Sequence, residues 1–246
     1  MHWDFALILI FLGTAVPWLG RRRILQLTAA PQTTKRDRLV LYASTCVFQW
    51  LAVALILWRV KVHHIALPDL GVAVPNILVV GITTFILGAL VFANQIFSLQ
   101  RLGSRPAEIQ GSIPQLALKV FPQDNGERWA FFALVATVAV CEEFIYRGFI
   151  QHVFQSWSGD YAIAGVVGSA VMFGLAHLYQ GKRGLISTFV IGGLFSVVRY
   201  GTGSLFPPLV AHFVADLMAG LLAPRAIRKS LESASKRHPD AFTVVT

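Results

Sequence analysis

The 246-residue chain is 55% hydrophobic and only 13% charged, whereas soluble domains average about 25% charged residues and lack long apolar runs. These values exclude an ordinary soluble protein and indicate an integral membrane protein. The net charge of +9 does not indicate nucleic-acid binding, because the basic residues flank apolar segments and form no patch interleaved with aromatic side chains. Cys46 and Cys141 both lie inside apolar runs, which argues against a disulfide framework.

The apolar pattern predicts an all-α, polytopic transmembrane helical bundle. Crossing the hydrocarbon core takes roughly 20 apolar residues in a helix, and segments of that kind recur along the whole chain. The first run contains Asp4 and has its arginines after the apolar stretch, so it is predicted to be a retained span and not a signal peptide. About seven spans are predicted, at residues 3–20, 39–58, 74–93, 129–150, 160–180, 184–200 and 204–223.

Basic side chains mark every second connection between these spans. They cluster in the stretches 21–38, 101–128, 182–183 and 225–237. By the positive-inside rule, this pattern predicts that the N-terminus lies outside and the C-terminus in the cytoplasm. The long connection 94–128 contains SIPQLALKVF, which is predicted either to form an interfacial helix or to be a solvated linker. Residues 224–246 are predicted to form a basic cytoplasmic tail.

Small residues recur in the fifth and sixth spans. Because lipid gives no hydrophobic drive for helix association, small side chains at four-residue spacing predict close packing of these two helices and carry no chemistry. The residues concerned are Gly165, Gly168, Ser169, Thr188, Gly192 and Ser196.

Ionisable side chains lie inside three of the last four spans. Each costs about 2.5–3.5 kcal/mol at a helix centre on insertion scales, so each needs a structural or functional reason. The fourth span carries Glu142, Glu143 and Arg147, the fifth carries His177, and the seventh carries His212 and Asp216. A lone histidine or one Glu–Arg pair is most simply a packing feature, but several such groups on neighbouring spans favour a functional site.

Spacing divides these residues into pairs. Glu143 and Arg147 are four residues apart with the acid first, which is the favourable order for an ion pair on one helix face. Glu142 points about 100° away and is left for another role. His212 and Asp216 have the same four-residue spacing, as do Phe173 and His177, so each pair shares a helix face.

This set of residues is suited to the hydrolysis of a carbonyl compound. A carboxylate beside an imidazole can activate a bound water, so Glu142 and His177 are candidates for that step. His212 and Asp216 would stabilise the oxyanion or orient the group that does. Glu142, His177 and His212 are also a plausible zinc set, although no HExxH motif supports this alternative.

Three short motifs resemble those of one membrane protease family. EEFIYRG, FGLAH and HFVAD are similar to the EExxxR, FxxxH and Hxxx(N/D) motifs of the CAAX prenyl-protease and bacteriocin-processing (CPBP, or Abi) family of intramembrane endopeptidases. The resemblance covers about residues 129–222. It implies a glutamate-dependent protease in which Glu142, His177, His212 and Asp216 are catalytic, with Glu143, Arg147 and Phe173 in support.

The resemblance also implies a substrate and leaves several questions open. The implied substrate is a membrane-anchored or lipidated protein or peptide, with no required cofactor, although the family has also been described as metal-dependent. Asp216 stands where other members carry Asn, and an Asp side chain donates a hydrogen bond only when it is protonated. Alternatives from other classes are a transporter that uses the same groups and a non-catalytic immunity protein.

The resemblance suggests a division of the chain into three parts. Residues 1–128 would supply three N-terminal helices and an interfacial loop, 129–223 the catalytic helical core, and 224–246 the tail. One conflict concerns depth, since Glu142 and His212 lie about 20 and 18 Å from the cytoplasmic ends of their spans, but His177 only about 7 Å. A tilt or kink, a misplaced span end, or a funnel open to the cytoplasm would resolve this conflict.

Overall fold

A computed structural model of the chain describes residues 2–104 and 112–237, and these residues contain helices and no strand. The N-terminal half forms α1 (Trp3–Ala29), α2 (Lys35–Val62), α3 (Ile77–Ser104) and the short α4 (Ser112–Val120). The C-terminal half forms α5 (Asn125–Glu142), a π-helical segment (Glu143–Ile150), α6 (Gln151–Trp157), α7 (Ala162–Ala176), α8 (Gly181–Thr202) and α9 (Phe206–Arg237).

The predicted all-α polytopic bundle is confirmed. Among the described residues, six helical stretches are long and apolar enough to cross a membrane, and α7 is a shorter apolar helix. The protein is therefore an integral, multi-pass membrane protein. The 33-residue stretch Asn125–Trp157 runs without interruption through α5, the π-helical segment and α6, so the span predicted at 129–150 is longer at both ends.

Three predicted helix boundaries differ from those in the structure. The span predicted at 160–180 ends already at Ala176, and α8 begins at Gly181 with Lys182 and Arg183 in its first turn, where a basic loop was expected. Gly181 has a φ of 73°, a left-handed backbone that suits glycine at this break between two helices. The last span continues as a helix to Arg237, so the predicted tail begins as helix, and its residues 238–246 lie outside the described part.

The helix predicted within SIPQLALKVF is present as α4, while the preceding residues 105–111 of this connection lie outside the described part. α4 packs against α1 and α9, and Ala117 contacts Ile227 in a small apolar cluster. The Lys119 ammonium donates to the backbone carbonyls of Thr28 and Ala30, both at 2.6 Å, at the end of α1. These contacts fix α4 to the bundle; its place at a membrane surface stays a prediction.

Each long N-terminal helix covers one helix of the C-terminal half. α1 packs on α7, α2 on α5, and α3 along α9. α1 contributes Phe5 and Leu9 to the main apolar core, which also contains Phe149 from the π-helical segment. The N-terminal helices therefore wall in the segment of the chain that carries the intramembrane charges.

The predicted close packing of the fifth and sixth spans is present between α7 and α8. Ser196 donates to the Ser169 hydroxyl at 3.1 Å, and a Cβ at Gly192 would lie 3.1 Å from the Phe173 ring. Gly165 instead packs against α6, because a Cβ there would lie 2.7 Å from the Gln151 carbonyl oxygen. Small residues thus bring α6, α7 and α8 together around the π-helical segment.

Candidate active site

The two adjacent glutamates lie where α5 passes into the π-helical segment. Such segments are rare and occur frequently at functional sites. The side chains of Glu143 and Arg147 are fully buried, and the ion pair expected from their spacing is present, with Arg147 Nη1 donating to Glu143 Oε1 at 2.9 Å. Buried charges are stable only when they are paired and hydrogen-bonded, which this geometry achieves for one oxygen of the carboxylate.

A histidine from α9 joins the same oxygen. His212 is buried, and its Nδ1 lies 2.7 Å from Glu143 Oε1. Because a carboxylate only accepts, Nδ1 carries the proton and donates. His212 Nε2 then faces two further acids, Asp216 Oδ2 at 3.5 Å and Glu142 Oε2 at 3.9 Å. Glu143 therefore links the ion pair to His212, a contact between helices that spacing along the sequence does not reveal.

Glu142 is held by a residue that the sequence reasoning did not select. The Gln49 amide of α2 donates to Glu142 Oε1 at 2.9 Å. Glu142 Oε2 is buried and has no hydrogen-bond partner among the described residues, although the Glu142 side chain is 15% exposed as a whole. Gln49 is an uncharged polar residue inside an apolar helix. The pattern of ionisable residues from which the site was predicted therefore does not include it.

His177 lies at the end of α7, immediately after its last helical residue. Its Nδ1 lies 2.8 Å from the Phe173 carbonyl oxygen, which can only accept, so Nδ1 carries a proton. In the neutral ring Nε2 is therefore the basic nitrogen. The early end of α7 also bears on the predicted conflict of depth, since a 15-residue helix is only about 22 Å long and is shorter than the hydrocarbon core. The count of 1.5 Å per residue from Lys182 to His177 therefore crosses a break in the helix, and the depth of His177 in the membrane stays a prediction.

Aromatic rings connect the polar groups. The Phe173 ring lies against His177, with centroids 4.5 Å apart, and against His212, with centroids 6.0 Å apart. The Arg147 guanidinium carbon lies 4.0 Å from the centre of the Phe173 ring and 5.4 Å from that of Phe195. Phe173 therefore lies between groups from three elements, and both histidines are near its ring.

Several buried polar atoms in this cluster have no hydrogen-bond partner within the described part of the chain. They are Glu142 Oε2, Glu143 Oε2, Arg147 Nε, Arg147 Nη2 and Gln151 Oε1. Most buried polar groups in native proteins are hydrogen-bonded, so this concentration marks a place suited to water or to polar groups of a ligand. Tyr179, which follows His177, lies 5.8 Å from its ring and within electrostatic reach of Glu142 and Asp216.

The site therefore brings together most of the residues selected from the sequence. Glu142, Glu143, Arg147, His212 and Asp216 form one continuous polar cluster. His177 is connected to this cluster through Phe173, and its own hydrogen bond goes to the Phe173 carbonyl and not to Glu142.

The ligand atoms of the zinc set considered from the sequence are not gathered at one point in the structure. Within the residues that the structure describes, one group of three metal-ligating side chains has its ligand atoms within 4.8 Å of one another, and it is His2, Asp4 and His63. Glu142, His177 and His212 do not form such a group. In the N-terminal group, Asp4 Oδ2 already accepts from Arg59 Nε at 2.7 Å and contacts His63 Nε2 at 2.9 Å, so an ion pair accounts for it.

Comparison with known proteins finds a family model that matches a C-terminal segment of the chain. The model of the Rce1-like family, described as Type II CAAX prenyl endopeptidase, matches residues 124–218. This match confirms the resemblance to the CAAX prenyl-protease family that the three motifs indicated. No curated protein and no solved structure matches the chain significantly. The matched segment begins just before α5 and ends in α9, so it contains the polar cluster but not Gln49.

Proposed function

We propose that this chain, whose residues 124–218 match the Type II CAAX prenyl endopeptidase family, hydrolyses a peptide bond near the membrane-associated end of a protein substrate. The family supports an intramembrane endopeptidase of the CAAX type in general. The observation that carries the detailed proposal is the Glu142 carboxylate, which has one oxygen hydrogen-bonded to Gln49 and the other buried without a hydrogen-bond partner among the described residues.

In the proposed mechanism, Glu142 is the general base. Its Oε2 accepts a proton from a water molecule while the water oxygen forms a bond to the carbonyl carbon of the scissile peptide. The carbonyl electrons move to the oxygen, which becomes an oxyanion. When this intermediate collapses, the carbon–nitrogen bond breaks, and the proton held by Glu142 passes to the leaving amine. His177 assists, because Nε2 is its basic nitrogen and accepts a hydrogen bond from the water.

His212 and Asp216 are proposed to serve the oxyanion. Glu143 accepts from His212 Nδ1 and fixes the ring orientation, as the acid of a catalytic triad does for its histidine. In the imidazolium form, Nε2 carries a second N–H that can donate to the oxyanion. Asp216 lies 3.5 Å from Nε2 and supports that form without having to donate a hydrogen bond itself. This arrangement accounts for an Asp at a position where Asn also occurs in the family.

The test is a substitution that keeps the shape of Glu142 and removes its basicity. Glu142→Gln is expected to lower cleavage by about 10²-fold or more, because general-base catalysis contributes about 10²–10⁴-fold. Membrane proteomes of cells that carry the wild type or Glu142→Gln are compared for proteins with shortened termini, which also identifies substrates. A matched thermal melt in detergent shows that the variant is folded. Cleavage by Glu142→Gln at the wild-type rate would refute the assignment.

A separate measurement distinguishes glutamate chemistry from zinc chemistry. The glutamate mechanism predicts that the purified protein keeps its activity after treatment with a strong chelator and contains no stoichiometric metal. Loss of activity on chelation that is restored by zinc would show that the enzyme depends on the metal and would overturn the metal-free glutamate mechanism.

A further inference from the structure

Gln49 places a polar amide inside an apolar membrane span, which is energetically unfavourable. It lies near the middle of α2, with apolar neighbours on both sides in the sequence Val-Phe-Gln-Trp-Leu. A polar amide inside a membrane span loses its hydrogen bonds to water and needs a partner in the protein. Its partner is Glu142, at 2.9 Å. Gln49 lies outside the segment 124–218 that matches the protease family, so the match does not assign it a role.

The direction of this hydrogen bond follows from its chemistry. An ionised carboxylate has acceptors only, so the amide nitrogen of Gln49 faces Glu142 and its oxygen faces away. Among the described residues, Gln49 provides the one hydrogen bond that the Glu142 carboxylate receives. Glu143, by comparison, is held by both Arg147 and His212. The orientation of the Glu142 carboxylate therefore depends on a residue from the N-terminal half of the chain.

We propose that Gln49 is a positioning residue that holds Glu142 with one oxygen tied and the other directed to the reacting water. The proposal rests on the function proposed above and deepens it. Because a catalytic group must be held close to its productive geometry by its neighbours, loss of this hydrogen bond leaves the base present but poorly oriented. It also gives α2 a part in the reaction, beyond covering α5.

A kinetic comparison tests the proposal. Gln49→Met keeps the length of the side chain and removes the hydrogen bond. It is expected to lower kcat about 10- to 100-fold, the scale of a small misplacement of a catalytic group, with KM changed less than about twofold. A loss of packing alone would lower the amount of folded protein and leave kcat per folded molecule unchanged. Wild-type kcat in folded Gln49→Met would overturn the proposal.

Gln95 offers a matched control on another N-terminal helix. It lies in α3, and its amide donates to the backbone carbonyl of Ala215 in α9 at 3.3 Å, so its hydrogen bond goes to the backbone and not to a carboxylate. Gln95→Met makes the same chemical change as Gln49→Met and is expected to leave kcat within about twofold of the wild type. Equal losses in both variants would show a general effect of removing an amide from the bundle and would overturn a specific role for Gln49.

A stability measurement tests the contact without any substrate. The melting temperatures of Gln49→Met, Glu142→Leu and the double variant form a double-mutant cycle, and the shift of the double variant is expected to be smaller than the sum of the single shifts. Additive shifts would overturn the hydrogen bond itself. If the wild type cleaves no protein, the proposed function fails, whereas the cycle still decides whether Gln49 holds Glu142.

Discussion

The continuous helical stretch that begins with α5 carries buried carboxylates at two levels, and they differ in how completely they are hydrogen-bonded. Glu127 lies in the first turn of α5, and Glu142 and Glu143 lie at its end. The side chains of Glu127 and Glu143 are fully buried, and each is paired with an arginine. Burial and pairing with arginine alone therefore do not distinguish a carboxylate outside the candidate site from one within it.

The cluster at Glu127 is complete. Arg38 donates to both carboxylate oxygens, from Nη2 at 2.7 Å and from Nε at 3.0 Å, and the Gln123 backbone amide donates to Oε2 at 2.6 Å. The third guanidinium nitrogen of Arg38 donates to the Thr33 carbonyl. Such a two-pronged pair, with its remaining donor also satisfied, joins α2 to α5 and leaves nothing for a ligand.

In the cluster of Glu142 and Glu143, by contrast, not every polar atom has a hydrogen-bond partner. One oxygen of Glu142 and one of Glu143 have no hydrogen-bond partner within the described chain, and two nitrogens of Arg147 share that condition. An incomplete polar network destabilises a buried site unless another molecule completes it. The two clusters therefore differ in their unsatisfied polar groups and not in charge, and the unsatisfied groups lie in the cluster that we propose to be catalytic.

The largest effect is expected for Glu143 in the incomplete cluster, because this residue both pairs with Arg147 and orients His212. Glu143→Leu leaves a buried arginine without its partner, which costs about 3–5 kcal/mol, and frees the His212 ring. Both folding and cleavage should be lost. Glu143→Leu with Arg147→Met removes the unpaired charge and should restore the melting temperature but not activity. Recovery of cleavage in that double variant would show that Glu143 has only a structural part.

Substitutions in the complete cluster at Glu127 should affect stability but not activity. Glu127→Ala strands the buried Arg38 and is expected to destabilise the protein by about 3–5 kcal/mol, measured by equilibrium unfolding in detergent. Arg38→Met with Glu127→Leu should recover that loss, because a buried ion pair is often replaceable by apolar side chains of similar volume. Activity per folded molecule should stay at the wild-type level in this double variant. A specific loss of kcat would remove the distinction between the two clusters.

An intermediate effect is expected where Phe173 meets Arg147. Phe173→Leu removes the ring 4.0 Å from the guanidinium, and a desolvated cation–π contact contributes about 2 kcal/mol. It also removes the ring that lies near both His177 and His212, so kcat should fall with the melting temperature. Phe195→Leu is the control, since its ring lies farther from Arg147 at 5.4 Å. Equal losses in the two variants would show that volume, and not the contact with Arg147, decides the result.

The sequence predicted relations within a helix better than relations between helices. Four-residue spacing correctly predicted the Glu143–Arg147 pair, and apolar length predicted the spans. The π-helical segment, the early end of α7 and the Glu143–His212 contact were not predicted, because they depend on which helices face each other. Gln49 was missed for the same reason, although an uncharged polar residue in the middle of an apolar span was a usable signal. The roles of the site residues and the orientation in the membrane stay predictions.

The smallest effect is expected for the exposed ion pair of Lys35 and Asp124, next to Glu127. This pair tests whether an ion pair exposed to water contributes little to the stability of the protein. Lys35 Nζ donates to Asp124 Oδ2 at 2.8 Å, and this hydrogen bond holds the pKa of Asp124 below its usual value of 3.8. Its stabilisation is therefore fully present at neutral pH and is lost as the pH falls below 3.8. Because water screens exposed pairs, Lys35→Met should lower the melting temperature at pH 7 by far less than Glu127→Ala does. A comparable decrease would mean that the rim of the cluster, and not its buried centre, joins α2 to α5.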